Sequence, residues 1–113
     1  MATTTIDGCE IYFEDTGSGD ALLLLHGGMG TGRDFRHAFD LPALSRRNRL
    51  VVPDARGHGR STNPSGAFTF CRCGLDVLAL LDHLGIERVR AVGMSLGGKT
   101  LLHVATIAPS RVS

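Results

Sequence analysis

With 113 residues, 42% of them hydrophobic and 20% charged, and a formal net charge of +1, the sequence describes one ordinary globular domain and excludes a disordered chain. The longest uninterrupted apolar stretches, Ala21 to Leu25 and Val77 to Leu81, hold five residues each, against the ~20 a membrane-spanning helix needs. Near-neutral charge with no continuous stripe of bases argues against a nucleic-acid partner.

The amino terminus has neither a basic start nor an apolar core, so it does not read as a secretory signal, and a cytoplasmic location with no membrane partner is expected. Three cysteines, Cys9, Cys71 and Cys73, are an odd number and suggest neither a disulfide framework nor a metal set. Cys71 and Cys73 stand two apart on a predicted helix and so point in different directions. No metal and no cofactor is expected.

Along the chain, Ile6-Asp7-Gly8-Cys9 followed by the alternating Glu10-Ile11-Tyr12-Phe13-Glu14 predicts a hairpin around Asp7-Gly8. Thr16 to Asp20 reads as a turn. Three short apolar runs follow, Leu22 to Leu25, Leu50 to Val52 and Val89 to Val92, none alternating, as expected of strands buried on both faces of a parallel sheet. A short helix is expected between the first two, with His37 exposed on it. Between the second and third, Phe70, Leu75, Val77, Leu78, Leu81 and Leu84 recur at helical spacing up to Gly85, with Asp76 and Asp82 on the wetter side. Leu101, Leu102, Val104, Ala105 and Ala108 mark a final helix, stopped by Pro109. The fold class is α/β, a mostly parallel sheet with antiparallel N-terminal strands.

Glycine is unusually frequent, 15 of 113 residues, where average usage is ~7%. Nine of the fifteen cluster directly behind the three apolar runs, at Gly27, Gly28, Gly30 and Gly32, at Gly57 and Gly59, and at Gly93, Gly97 and Gly98. Ligands of open α/β sheets bind at such strand ends. Gly93-Met94-Ser95-Leu96-Gly97 has the G-x-S-x-G pattern of a nucleophile elbow, which lifts Ser95 Oγ above the sheet and sets the Leu96 amide at a helix amino terminus. Gly93 to Thr100 also satisfies the phosphate-binding pattern G-x-x-x-x-G-K-[ST], and local context does not separate the two. Position in the chain favours the elbow, because the phosphate loop usually follows the first core strand, with its metal-binding Asp downstream.

His26-Gly27-Gly28-Met29-Gly30 and Asp54-Ala55-Arg56-Gly57-His58-Gly59-Arg60-Ser61, taken with the elbow, resemble in identity and order the signatures of the α/β-hydrolase fold from about Ile11 to Val112. The resemblance implies a serine hydrolase acting on an ester, lactone or related carbonyl compound, with Ser95 as nucleophile. It also implies an oxyanion hole made by the amides of Leu96 and Gly28, with Met29 the neighbouring candidate. The partner implied is a small-molecule substrate. In that family the triad acid and histidine follow the elbow after later strands. Ser113 falls near the start of the next strand, so residues 1–113 read as the amino-terminal portion of the domain, truncated after the elbow helix and inactive alone.

None of the five histidines is expected to substitute as base. His103, eight residues beyond Ser95 on the helix, lies ~12 Å away; His83 falls at the far helix end; the family uses His26 to brace its loop and His58 as part of a turn. Lys99 reads as a solvated first-turn residue, and Arg56 and Asp54 as ties holding their loop together. A non-catalytic binding protein on the same fold and a phosphate-loop nucleotide binder are the alternatives.

Overall fold

The computed structural model describes residues 2–113. Asp7 and Gly8 both take positive φ, +50° and +77°, as the twist-matched two-residue hairpin requires. That turn joins β1 (Ala2–Ile6) to β2 (Cys9–Thr16), with Ile6 opposite Cys9. The three later strands are β3 (Asp20–Leu25), β4 (Asn48–Pro53) and β5 (Arg90–Gly93), in the sheet order β1-β2-β4-β3-β5. β3 pairs in parallel with both β4 and β5, and β2 pairs with β4 antiparallel. The sheet is therefore mixed, a parallel core of three strands carrying an antiparallel edge.

Between β3 and β4 the chain forms a 3-10 turn (Gly32–Asp34) and two short helices, α1 (Phe35–Ala38) and α2 (Leu41–Ser45). The longer helices are α3 (Phe70–His83) and α4 (Leu96–Ile107). Side chains alternate along a strand, so each apolar run feeds two cores. Leu23, Leu25 and Val51 join Val77, Leu81 and Val104 of α3 and α4, whereas Leu24, Leu50 and Val52 surround Phe35 of α1. The uninterrupted Leu and Val runs of β3 and β4 are the signature of burial on both faces.

α3 begins at Thr69, whose hydroxyl accepts from Arg72 N at 3.0 Å, and ends in a Schellman motif. Gly85 has φ +69°, Gly85 N donates to Asp82 O and Ile86 N donates to Leu81 O. Pro109 follows α4 and opens a further 3-10 turn, Pro109–Arg111.

Three expectations need correction. Asp76 is not on a wet face: it is buried, and Phe70 and Leu75, expected inside, are partly exposed. The helical stripe is rotated because α3 carries a buried ion pair described below. The third strand begins at Arg90 rather than Val89. Among the described residues it stands last in the sheet order, with Val92 39% exposed, and Val89 makes an isolated parallel bridge to Val112.

Candidate active site

Gly93-Met94-Ser95-Leu96-Gly97 forms the sharp strand-to-helix turn between β5 and α4. Ser95 has φ +51° and ψ −103°, a left-handed conformation costly for a residue with a Cβ and characteristic of functional turns. Backbone packing enforces it. Met94 N donates to Leu25 O at 3.0 Å and Gly97 N to Met94 O at 2.9 Å. A Cβ on Gly97 would lie 2.8 Å from Leu25 Cβ and collide with the Leu25 carbonyl, and one on Gly93 would collide with the Gly97 backbone. Ser95 is left exposed at the head of α4, and Leu96, in the first helical position, has no intrahelical acceptor for its N–H.

The loop after β3 comes in beside it. Gly30 N donates to Gly27 O at 3.1 Å, closing a turn in which Met29 takes φ +62°. A Cβ on Gly27 would lie 3.9 Å from Ser95 Cβ, and one on Gly28 3.9 Å from Leu96 Cβ, so the loop runs beside the elbow with about one methyl group's space between them. Ser95, Leu96, Gly28 and Met29 thus border one open groove of about 340 Å3, completed by His58, Phe68, Phe70 and Lys99. A second cavity of about 40 Å3 between Leu25, Arg56, Cys73 and Thr100 has room for about one water molecule.

His26 is buried and bridges two loops: its Nδ1 lies 2.7 Å from Gly27 O, and its Nε2 accepts from Ala55 N at 3.0 Å. A carbonyl only accepts, so this pairing fixes the neutral tautomer with the proton on Nδ1 and leaves neither nitrogen free for Ser95. His58 Nδ1 donates in the same way to Arg56 O at 3.0 Å, with its ring 5.3 Å from that of His26. His83 packs edge-on against Phe13, His103 lies against Gly74 of α3, and His37 is exposed on α1.

Asp54 and Arg56 are both buried but do not pair with each other. Asp54 accepts from Gly32 N at 2.8 Å and Arg60 N at 3.0 Å, tying its loop to the 3-10 turn. Arg56 makes a bidentate pair with Asp76, at 2.7 Å and 2.9 Å, which anchors the loop to α3 and raises the Arg56 pKa further above its usual value. Cys73, beside this pair, is pushed up to about 11, mainly by burial and then by the Asp76 charge. Cys71 is exposed.

The phosphate-loop alternative does not survive this geometry. Leu96 to Lys99 are already helical, so the segment that would have to wrap a phosphate as an open loop is the first turn of α4. Among the described residues, no group of three His, Cys, Asp or Glu could hold a metal ion, and no helix is long and apolar enough to cross a membrane.

What sequence reasoning missed is the rest of the groove wall. Lys99 is not simply solvated: its Nζ lies 4.9 Å from the Phe70 ring centroid. His58 and Phe68 face each other across 5.7 Å between ring centroids. The i,i+4 spacing of Ser95 and Lys99 on one helix is the only signal that could have placed the lysine there.

The model of the alpha/beta hydrolase fold family matches residues 20–113, and the chain belongs to that family. It is 38% identical over 104 residues to the dihydrolipoyllysine-residue acetyltransferase component of the acetoin cleaving system of Pseudomonas putida, covering 90% of this chain and 27% of that protein. It is 33% identical over 100 residues to a soluble epoxide hydrolase of Corynebacterium sp. strain C12, covering 88% and 34%. The solved structure of Est816, described as an N-acyl homoserine lactone degrading enzyme, superposes with a TM-score of 0.92 at 32% identity, covering 98% of this chain and 42% of that one. The chain therefore spans between 27% and 42% of the length of these relatives.

Proposed function

We propose that this chain carries the nucleophile and oxyanion hole of a serine hydrolase acting on an ester, lactone or related carbonyl substrate. The observation that carries the reading is Ser95, exposed at the head of α4 with φ +51° and against the Gly27–Gly28 backbone. Ser95 Oγ attacks the carbonyl carbon, the carbonyl π pair moves onto oxygen, and the amides of Leu96 and Gly28 hold the oxyanion. Met29 N–H is the neighbouring donor. The Ser95 proton passes to a general base and then to the leaving group, giving an acyl-enzyme that water hydrolyses.

His26 is committed to two other partners, and His37, His83 and His103 lie on other surfaces. His58 lines the groove, but its Nδ1 is bound to the Arg56 carbonyl, and no carboxylate among the groove's described lining residues orients it as a triad histidine would be. The base and its orienting acid are accordingly proposed to come from outside residues 1–113, and these residues alone are expected to turn over no ester. A serine rather than an aspartate at the elbow favours acyl chemistry over epoxide opening. The test is labelling with a fluorophosphonate and hydrolysis of a short p-nitrophenyl ester by the protein at its natural length. Ser95→Ala should abolish both, a loss of several orders of magnitude in rate, while circular dichroism stays unchanged. Wild-type turnover in that variant overturns the mechanism, and absence of both signals in the wild type favours a non-catalytic binding protein.

A further inference from the structure

We propose that Lys99 makes the groove selective for carbonyl substrates bearing a carboxylate a few bonds from the reacting carbon. The proposal rests on the serine-hydrolase reading for its chemistry, but its geometry stands apart from it. The groove is lined by Gly28, Met29, Phe68, Phe70 and Leu96, with Ser95, His58 and Lys99 as its polar side chains. Among the described residues no acidic side chain borders it, and Lys99 is the one fixed charge they place there.

Lys99 is also the only lysine in the sequence, and no carboxylate among the described residues pairs with it. Its Nζ is held instead over the Phe70 ring, an arrangement that positions an ammonium without neutralising it. A carboxylate can therefore bind on its open side without displacing an internal partner.

Position along α4 sets the length of the ligand. Lys99 follows Ser95 by four residues, its N–H donates to Ser95 O at 3.0 Å, and both side chains line the groove, one turn or about 6 Å apart along the axis. Helical side chains lean toward the amino terminus, which brings the lysine stem back over the turn that holds the serine. A carboxylate separated from the reacting carbonyl by two or three methylenes spans that interval. The described walls offer the ammonium no competing carboxylate, and the ammonium supplies charge-assisted recognition.

Two measurements test this at the protein's natural length. In the first, lysines of the Ser95→Ala variant are reductively methylated with 13C-formaldehyde, and the Lys99 signal is assigned by its loss on adding Lys99→Arg. Monomethyl glutarate should shift that signal saturably, at least about five-fold tighter than neutral dimethyl glutarate, with acetate ineffective at equal ionic strength. Equal response to both esters, or none, overturns the proposal. In the second, kcat/KM for mono-p-nitrophenyl glutarate is divided by that for p-nitrophenyl valerate. Lys99→Gln should lower this ratio about tenfold and Lys99→Arg should restore most of it; an unchanged ratio overturns the proposal and leaves the serine mechanism standing. A responsive Lys99 signal in a protein that cleaves neither ester would refute the serine mechanism and leave the carboxylate site standing.

Discussion

Removing one half of the Arg56–Asp76 pair should cost far more than removing both halves. Arg56 is 1% exposed, yet it is a full positive charge, and its two bonds to Asp76 are 2.7 Å and 2.9 Å long. Its other partners are weaker, Ala67 O at 3.3 Å and Asp7 at 3.3 Å, the latter with its side chain 54% exposed. Asp76→Leu leaves the guanidinium buried with those two alone, and we expect a loss near the upper end of the 3–5 kcal/mol typical of an orphaned buried charge, about 5 kcal/mol. Arg56→Met orphans Asp76 less completely, because Arg72 Nε remains 3.2 Å away, and should cost about 3 kcal/mol.

The double variant replaces the pair by apolar groups of similar size and leaves Arg72 and Asp7 free to turn toward solvent, so it should lose only about 1 kcal/mol. Urea unfolding followed by far-ultraviolet circular dichroism measures the cycle, and these losses imply a coupling of about 7 kcal/mol. Single losses that add to within about 0.5 kcal/mol would refute the claim that this contact is a desolvated, mutually dependent pair.

Gly97→Val should prevent soluble folding, because its first side-chain carbon falls on the Leu25 carbonyl; a soluble and active variant would refute the elbow packing. Asp15, bonded twice to Arg49 at 2.9 Å and 2.7 Å, has its pKa lowered below the usual carboxylate value chiefly by those bonds. A carboxyl lowered in the folded state stabilises above its unfolded pKa and loses that contribution as pH falls through the folded one. Asp15→Asn should therefore flatten the stability curve on the acid side of about pH 4, measured by thermal unfolding against pH. Among the thiols, exposed Cys71 should react fastest with a disulfide reagent at pH 8, while buried Cys9 and Cys73, the latter raised to about 11, should react only on unfolding. Peptide mapping of the first labelled site checks the order.

Local rules were enough where the cause was local. The hairpin was readable because Asp-Gly is a pair that tolerates two positive φ values, and the three strands because both faces of a buried strand are apolar. The elbow was readable for the same reason: Gly93 and Gly97 are dictated by backbone collisions within one turn and one neighbouring strand. The partner of Asp76 was not legible. Helical spacing assigns a carboxylate to the wet side, and the guanidinium that overrides this comes from a loop 20 residues earlier. The groove wall was the least legible part, because Phe68, Phe70 and Lys99 meet only once α3 and α4 have packed.

Leu25 joins two pieces of apparatus that are separate in sequence. Its carbonyl takes the Met94 amide and its backbone abuts Gly97, and three residues further on the same strand end becomes Gly28. The spacing between Ser95 and the loop amide is thereby set by three residues of backbone and one hydrogen bond between neighbouring strands rather than by the width of the whole sheet. When the sheet flexes, both groups ride together, like two jaws on one shank. Mutations that loosen β1, β2 or α1 should lower melting temperature while leaving reacting distances intact. A single residue inserted between Gly27 and Gly28 should do the reverse, displacing the proposed oxyanion donor from the serine while His26 keeps its bonds to Gly27 O and Ala55 N.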